Sequence, residues 1–268
     1  MAHNFSFFEL CNHAASAVEV AIKDLVETQQ AYETLYIGAD GTDTKLIDDV
    51  AEKAIFEVLE EDGRSMKVLS EETGIKTLGE DPEFTVVIDP LDGTYNASFG
   101  IAFYSVSIAI GYPDLSCIWF GYIKNLANGD IYHAEYGKGA YLNGIRIFPS
   151  SKSELKDSCA SVYGYRLHVE RTIELTRSIR RMRILGCVSL ELCYVASGRF
   201  DAFVDVRGSL RLTDVAAGKL IVDESGGKVT NGFADLIELK DNSIYHVYMI
   251  ASNGYIHDDL LKLTGGIS

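Results

Sequence analysis

Two carboxylates end an apolar stretch near the middle of the sequence. Residues 86–96 read VVIDPLDGTYN, in which Asp89 and Asp92 follow three aliphatic residues and are separated by Pro90 and Leu91. A tight turn is one interpretation, because proline, aspartate and glycine are common turn residues. Two uncompensated charges at the end of a buried strand are costly, however. The spacing therefore also predicts a site for a hard cation such as Mg2+, which prefers carboxylate oxygens.

The same turn offers further polar groups beside the two carboxylates. The Leu91 carbonyl can supply a third oxygen ligand to a cation. Gly93 and Thr94 follow where a helix could begin, and backbone N–H groups at a helix start suit a phosphate. We therefore expect Asp92, Gly93 and Thr94 to contact the phosphate of a substrate.

Acidic residues in other segments could complete such a site. Glu71 and Glu72 follow a predicted strand in LSEETG, Asp214 lies at a predicted helix start in RLTDVAAGK, and Asp48 lies on a helix face in TKLIDDVAEK. Each has a simpler interpretation when taken alone: an exposed acidic turn, an ordinary helix cap, and a solvated helix residue. The residues by themselves leave both interpretations open.

Hydrophobic spacing indicates the elements that would position these residues. Apolar side chains recur at helical spacing over residues 7–35, which predicts one long amphipathic helix. Short apolar segments separated by Gly-rich turns over 101–148 indicate an antiparallel sheet. After Pro149, strands and helices alternate, which is typical of an α/β arrangement. We therefore predict a metal- and phosphate-binding subdomain at 1–150 and an α/β substrate subdomain at 151–268.

Composition excludes several classes of protein. The 268-residue chain has 39 acidic and 24 basic residues and a formal net charge of -15, which argues against nucleic acid or an anionic membrane as the main partner. Its five cysteines show no CxxC spacing and its histidines show no zinc-ligand spacing, so we expect reduced thiols and no zinc site. No signal peptide or membrane span is expected, and we predict a cytoplasmic enzyme.

The order of the segments resembles that of the inositol monophosphatase superfamily. GTDTKLIDDVAEK, SEETG, VVIDPLDGTYN, GKGAYLNG and LTDVAAGKLIVDESGG follow one another and cover nearly the whole chain. GADGT, SEETG and FGIAFYSVSIAI are most similar to archaeal-type members, which act on fructose 1,6-bisphosphate and inositol 1-phosphate. The resemblance implies a layered αβαβα sandwich of the sugar-phosphatase type, with an antiparallel-rich N-terminal half and an α/β C-terminal half.

The resemblance also assigns a role to individual positions. Two or three Mg2+ ions, for which Mn2+ can substitute, would be held by Glu71, Asp89, the Leu91 carbonyl, Asp92 and Asp214. This chain has Thr213 before the last of these, where most members have Trp or Cys, so packing there is expected to differ.

Catalytic and substrate-binding roles follow from the same resemblance. Asp48 and Thr94 would orient and activate the attacking water, and Asp40 would help to bind a weak third ion. The substrate beyond the scissile phosphate would be lined by Arg183, Val188 and Arg207. Many inositol-specific members have Glu near the place of Arg207, so we expect this arginine to favour a second phosphate.

Three functions are compatible with these residues. The first is a Mg2+-dependent phosphomonoesterase that uses metal-activated water on a small phosphorylated sugar or polyol. The second is a 3′-phosphoadenosine 5′-phosphate phosphatase of the same superfamily, whose members are usually longer. The third is a non-catalytic metal-binding protein on the same fold, which a lost ligand would indicate; all five acidic positions are retained here. The resemblance further implies a homodimer.

Overall fold

The computed structural model describes residues 6–39, 41–237 and 247–264, so the predicted role of Asp40 lies outside the described residues. The α-helices of the described part are α1 (Phe7–Ile22), α2 (Leu46–Asp62), α3 (Thr94–Ser98), α4 (Ile173–Ser178), α5 (Val188–Ala196), α6 (Leu212–Ser225) and α7 (His257–Leu263). Short 3-10 helices lie at Gln30–Tyr32, Leu155–Asp157 and Arg166–Thr172.

The strands of the first half are β1 (Thr34–Ile37), β2 (Asp43–Lys45), β3 (Met66–Ser70), β4 (Gly74–Leu78), β5 (Phe84–Asp92), β6 (Ser105–Gly111), β7 (Ile118–Asn125), β8 (Ile131–Glu135), β9 (Gly139–Leu142) and β10 (Ile145–Arg146). Those of the second half are β11 (Cys159–Tyr163), β12 (Arg181–Arg183), β13 (Ala202–Leu210), β14 (Lys228–Thr230) and β15 (Val247–Ser252). The short strands β1 and β2 pair with each other, apart from the two larger sheets.

The larger sheet brings two candidate acidic segments to one edge. Its strand order is β10-β9-β8-β7-β6-β5-β3-β4, and its only parallel pair among the described strands is β3 with β5. Ser70 at the end of β3 lies opposite Ile88 of β5, one residue before Asp89. Because parallel strands end at the same edge of a sheet, Glu71 and Asp89 emerge side by side.

The second sheet, in the C-terminal half, has both parallel and antiparallel pairs. Its strand order is β12-β11-β13-β15-β14, with β11 parallel to both neighbours and β15 antiparallel to both of its own. Strands and helices alternate between residues 159 and 225, so the α/β character predicted for this half is confirmed.

The described elements form five layers. One face of the larger sheet is covered by α1 and α2, and its other face packs on α5 and α6. The same two helices pack on the second sheet, whose outer face is covered by α4 and α7. This is the predicted αβαβα sandwich. The core between the sheets draws on both halves of the chain, for example Ile123 and Ile221, and the subdomain boundary at 150 stays a prediction.

The predicted long N-terminal helix is wrong beyond Ile22. Ser6 caps α1 through its side chain and Glu9 completes the capping box. Leu25 and Val26 are apolar because they pack against the core. They do so from a turn and not from a helix, so the apolar spacing continues where the helix has ended. The chain then forms β1, whose four residues are exposed and therefore show no alternation.

Two further features concern the thiols and the lengths of the helices. All five cysteines lie in the described part of the chain and are unpaired. Of the helices that the structure describes, none combines the length and the apolar character needed to cross a membrane.

Candidate active site

Three acidic side chains converge at the edge where β3 and β5 end. Glu71 follows β3, Asp89 belongs to β5, and Asp214 is the third residue of α6. One carboxylate oxygen from each of these three residues lies within 4.8 Å of the corresponding oxygen of the other two. Asp89 and Asp214 are buried, at 2% and 6% exposure. The fold therefore brings together residues from three distant segments that the sequence marked as candidate metal ligands.

Asp92 and Leu91 lie beside this cluster and are fixed by the surrounding backbone. Oδ2 of Asp92 accepts hydrogen bonds from the amide and from the hydroxyl of Ser189, each at 2.6 Å. These bonds tie the end of β5 to the first residues of α5. The Leu91 side chain is buried in the core, and its amide donates to Asp89 Oδ1 at 3.1 Å. Leu91 is thus anchored beside Asp89, and its carbonyl oxygen lies 3.2 Å from the Thr94 hydroxyl.

Asp48 and Thr94 form a hydrogen-bonded pair at the same edge. Thr94 Oγ1 lies 2.9 Å from Asp48 Oδ1 and 3.2 Å from the Leu91 carbonyl oxygen. The other oxygen of Asp48 accepts from the Lys45 amide at 3.2 Å, which fixes the carboxylate at the start of α2. The two residues predicted to orient water are therefore in contact with each other.

The turn between β5 and α3 requires a glycine. Gly93 has φ of +93°, a left-handed conformation that side-chain-bearing residues rarely adopt. A Cβ atom there would also lie 3.1 Å from the Phe103 carbonyl oxygen and 3.3 Å from the Cys187 Cβ. Gly93 is consequently what allows Thr94 to turn back toward Asp48.

A second carboxylate holds the turn that carries Glu71. Glu52 is buried on α2, one turn after Asp48, and accepts hydrogen bonds from the Ser70 hydroxyl and from the Thr73 amide and hydroxyl. Glu72 in turn accepts a hydrogen bond from the Thr44 hydroxyl. The two glutamates of SEET therefore have different roles, since Glu71 reaches the cluster and Glu72 is bound to Thr44 of β2.

A guanidinium group completes the cluster. Arg211 Nη1 donates to Glu71 Oε1, and Arg211 Nη2 donates to Asp214 Oδ1 at 2.9 Å. The backbone amide of Arg211 also donates to Asp214 Oδ2 at 2.8 Å, so Asp214 caps the helix to which it belongs. Sequence reasoning did not assign Arg211 a role. Its only local signal was the spacing of three residues to Asp214, which favours a helical ion pair.

Burial and mutual repulsion raise the pKa values of the clustered carboxyls. The pKa of Asp89 is raised by burial first and then by the charges of Glu71, Asp92 and Asp214. Burial likewise raises the pKa of Glu71, although Arg211 opposes the shift. The pKa of Asp48 rises to about 7, through burial and the charge of Glu72. A site with these properties is poised to bind cations.

These shifts predict how stability depends on pH when no divalent ion is bound. A carboxyl with a raised pKa holds a proton in the folded state that the unfolded chain has already lost, so stability falls as pH rises toward the folded pKa. For Asp48 this window runs from about 4 to about 7. In EDTA we expect the melting temperature to fall as pH rises from about 6.5 through the pKa of Asp48 at about 7, and then to level off; the fall should be less steep in Asp48→Asn.

The pH range of that experiment lies above the range in which His257 has the opposite effect on stability. Burial lowers the pKa of His257 to about 4, so it destabilises the fold only as pH falls below its unfolded value of about 6.5. Saturating Mg2+ should weaken the dependence of the melting temperature on pH, because a bound cation favours the deprotonated carboxylates. A melting temperature that rises with pH in EDTA would contradict the prediction.

A cavity of about 460 Å³ opens beside the cluster. Its lining comes from both halves of the chain and consists of Thr42, Asp92, Tyr163, Tyr165, Gly186, Val188, Arg207, Ser209, Leu210, Arg211 and Asp214. Two of the three residues predicted to line the substrate, Val188 and Arg207, are among them. The third, Arg183, is exposed at the end of β12, and its Nη1 donates to the Met182 carbonyl at 2.7 Å.

Arg207 is held rigidly within this cavity. Its Nε donates to Asp205 Oδ2 at 2.9 Å, and its Nη1 donates to the Tyr165 hydroxyl at 2.6 Å. The guanidinium carbon also lies 4.6 Å from the centre of the Tyr163 ring and 5.1 Å from that of Tyr165. The arginine and the two tyrosines therefore form one wall of the cavity.

The fold and this site together define a class of protein. An αβαβα sandwich with an acidic cluster at the ends of two parallel strands is the arrangement of the metal-dependent sugar-phosphatase type. Residues 7–264 match the inositol monophosphatase family. The chain therefore belongs to that family, whose members are phosphoric monoester hydrolases.

Individual relatives agree with this membership. The fructose-1,6-bisphosphatase/inositol-1-monophosphatase of Methanothermobacter thermautotrophicus is 48% identical over 227 residues, which cover 81% of each chain. The bifunctional NADP phosphatase/NAD kinase of Methanococcus maripaludis is 37% identical over a match that covers 96% of this chain and 49% of that protein. This chain thus spans about half the length of the bifunctional relative.

A solved structure supports the fold. A hypothetical protein from Pyrococcus horikoshii, described as having similarities to inositol-1 monophosphatase, superposes with a TM-score of 0.83 at 32% identity and 96% coverage of both chains.

Proposed function

We propose that this protein is a Mg2+-dependent phosphomonoesterase that hydrolyses fructose 1,6-bisphosphate and inositol 1-phosphate. The observation that carries the proposal is the position of the Asp48–Thr94 pair next to the buried Glu71, Asp89 and Asp214 cluster. The relative from Methanothermobacter, which is named for both activities, supports the choice of substrates.

The residues present fit a hard divalent cation. The cluster offers only oxygen atoms as ligands. Because Asp89 and Asp214 are buried, water stabilises their charges little. A bound ion would neutralise the substrate phosphate, lower the pKa of a ligated water and stabilise the leaving oxygen. The groups that would hold two or three Mg2+ ions, or Mn2+ in their place, are Glu71, Asp89, the Leu91 carbonyl, Asp92 and Asp214.

Asp48 and Thr94 are placed to handle the water proton. The Thr94 hydroxyl donates its proton toward Asp48 or the Leu91 carbonyl, which leaves its oxygen lone pairs to accept from a water. Asp48 can then hold the proton that the water loses. The pKa of Asp48, raised to about 7 by burial, is near the value that suits a general base at neutral pH.

The cavity beside the cluster supports a small phosphorylated substrate. Arg207 is fixed by Asp205 and Tyr165 but retains N–H groups that can reach a ligand phosphate. Inositol 1-phosphate has one phosphate, which the cluster would take, whereas fructose 1,6-bisphosphate has a second one. We therefore propose that Arg207 favours the bisphosphate.

This proposal predicts a selective effect of one substitution. Arg207→Ala should weaken the transition-state binding of fructose 1,6-bisphosphate by about 1.5–3 kcal/mol, the scale of a charged hydrogen bond, and change inositol 1-phosphate hydrolysis little. The measurement is kcat/KM on both substrates. Arg207→Lys is the matched control, because it keeps the charge near Asp205 and loses the planar donor pair. Equal losses on both substrates would exclude the second-phosphate role.

A nucleotide is the second candidate substrate. The sequence suggested 3′-phosphoadenosine 5′-phosphate, and the relative from Methanococcus maripaludis is named in part as an NADP phosphatase. The observation that favours a nucleotide is the exposed ring of Tyr165 beside Arg207, on which an adenine ring could stack. A non-catalytic role is disfavoured, because the acidic residues required for metal binding are all present.

Release of inorganic phosphate from a substrate panel tests the proposal. The panel comprises fructose 1,6-bisphosphate, inositol 1-phosphate, NADP and 3′-phosphoadenosine 5′-phosphate, each with Mg2+, with Mn2+ and with EDTA. We expect release from the first two compounds and only with an added ion. Faster release from a nucleotide would favour the second candidate, and no release from any compound would favour a non-catalytic protein.

We further propose a homodimer in the cytoplasm that acts on small molecules. The net charge of -15 supports the exclusion of nucleic acid and of anionic membrane surfaces as partners. The dimer rests on family resemblance, and light scattering on the purified protein would test it.

A further inference from the structure

Arg211 engages Asp214, one of the carboxylates expected to bind a cation, through both of its oxygens. Oδ2 of Asp214 accepts from the backbone amide of Arg211 at 2.8 Å, an interaction that caps α6. Oδ1 accepts from Nη2 at 2.9 Å and from Nε at 3.2 Å. Nε also lies 3.4 Å from Oδ2, so the side chain of Arg211 contacts both oxygens and lies closest to Oδ1, which the helix cap does not use.

The same guanidinium reaches a second member of the cluster. Its Nη1 donates to Glu71 Oε1, so the planar group spans the gap between Glu71 and Asp214. Arg211 cannot leave this position by losing its proton, because guanidinium stays charged at any ordinary pH. Its side chain is 22% exposed and faces the substrate cavity, which gives it room to move.

We propose that Arg211 is an internal counter-cation that stands between Glu71 and Asp214 and has to release Asp214 before a divalent ion binds there. A cation at this place would compete with the guanidinium for Asp214 Oδ1 and would be repelled by its charge at short range. Arg211 thus stabilises the ion-free protein and weakens its affinity for one of the ions. This inference rests on the proposed metal site.

Direct ion binding by Arg211→Gln tests the proposal. Glutamine keeps much of the length of arginine and removes the charge and the forked donors. We expect Mn2+ to bind to the EDTA-treated and dialysed variant about tenfold more tightly than to the wild type at one site, in isothermal titration calorimetry. Tenfold corresponds to about one charge-assisted hydrogen bond that no longer has to be broken.

Thermal melting provides a second readout that does not depend on catalysis. In EDTA the variant should melt below the wild type, because three clustered carboxylates lose their cation. Addition of Mn2+ should raise its melting temperature by more than it raises that of the wild type. Arg177→Gln is the matched control, since Arg177 is an exposed arginine that pairs with Glu174 on α4, and it should change neither measurement.

The possible results separate the two proposals. No Mn2+ binding to the wild type would overturn the metal site itself. If the wild type binds Mn2+ and Arg211→Gln binds it with equal or lower affinity, only the counter-cation role would be overturned. A lower affinity in the variant would mean that Arg211 positions the ligands. If Arg211→Gln does not fold in EDTA, Arg211→Lys replaces it, because one ammonium cannot span both carboxylates. Mn2+ affinity that stays unchanged in Arg211→Lys would overturn the proposal.

Discussion

Asp89→Asn should leave almost no phosphatase activity at saturating Mg2+. Asp89 is 2% exposed, and its pKa is raised by burial and by the charges of Glu71, Asp92 and Asp214. Asparagine offers one neutral oxygen where a cation shared between ligands requires a charged group. We expect kcat/KM to fall by at least about 10³-fold, which corresponds to roughly 4 kcal/mol of transition-state stabilisation.

The variant should still fold, which separates loss of the site from loss of the structure. Removal of one charge from a buried acidic cluster relieves repulsion, so we expect Asp89→Asn to melt at or above the wild-type temperature in EDTA. The matched control is Asp259→Asn, at an exposed aspartate of α7 that pairs with Lys262. If Asp89→Asn kept most of its turnover at saturating Mg2+, the site would have to lie elsewhere.

Sequence patterns predicted the layers of the fold better than the ends of its elements. Short apolar segments separated by Gly-rich turns identified the antiparallel strands that follow residue 101, because β6 and β7 are buried along almost their whole length. Residues 23–35 were assigned to a helix because Leu25 continues the apolar helical spacing. Leu25 and Val26 are half-buried and pack against the core from a turn, which no local pattern distinguishes from a continuing helix.

The candidate site was predictable where its residues lie in one short segment. VVIDPLDGT places Asp89, the Leu91 carbonyl and Asp92 within four positions, and the structure keeps them at one edge of the sheet. The contacts of Ser189 with Asp92 and of Arg211 with Glu71 join residues 97 and 140 positions apart. Contacts of this kind depend on how α5 and α6 pack between the sheets, and a single sequence carries no signal of that packing.

Asp48→Asn and Thr94→Ala should each lower kcat by about 10²–10⁴-fold, the usual range for a positioned acid or base. The two side chains share a hydrogen bond at 2.9 Å, and neither substitution removes a carboxylate of the Glu71, Asp89 and Asp214 cluster. Their effect should therefore appear in the transition state and leave KM within a few-fold of the wild-type value.

The chain offers close controls for both members of this pair. Thr94→Ser keeps the hydroxyl and should recover most of the activity that Thr94→Ala loses. Asp49→Asn changes the adjacent carboxylate on α2, which binds the Tyr36 hydroxyl and Lys53, and should change kcat little. The double variant of Asp48 and Thr94 should lose little more than either single variant, because both act on one water. If either substitution raised KM and left kcat unchanged, that residue would bind substrate and would not activate water.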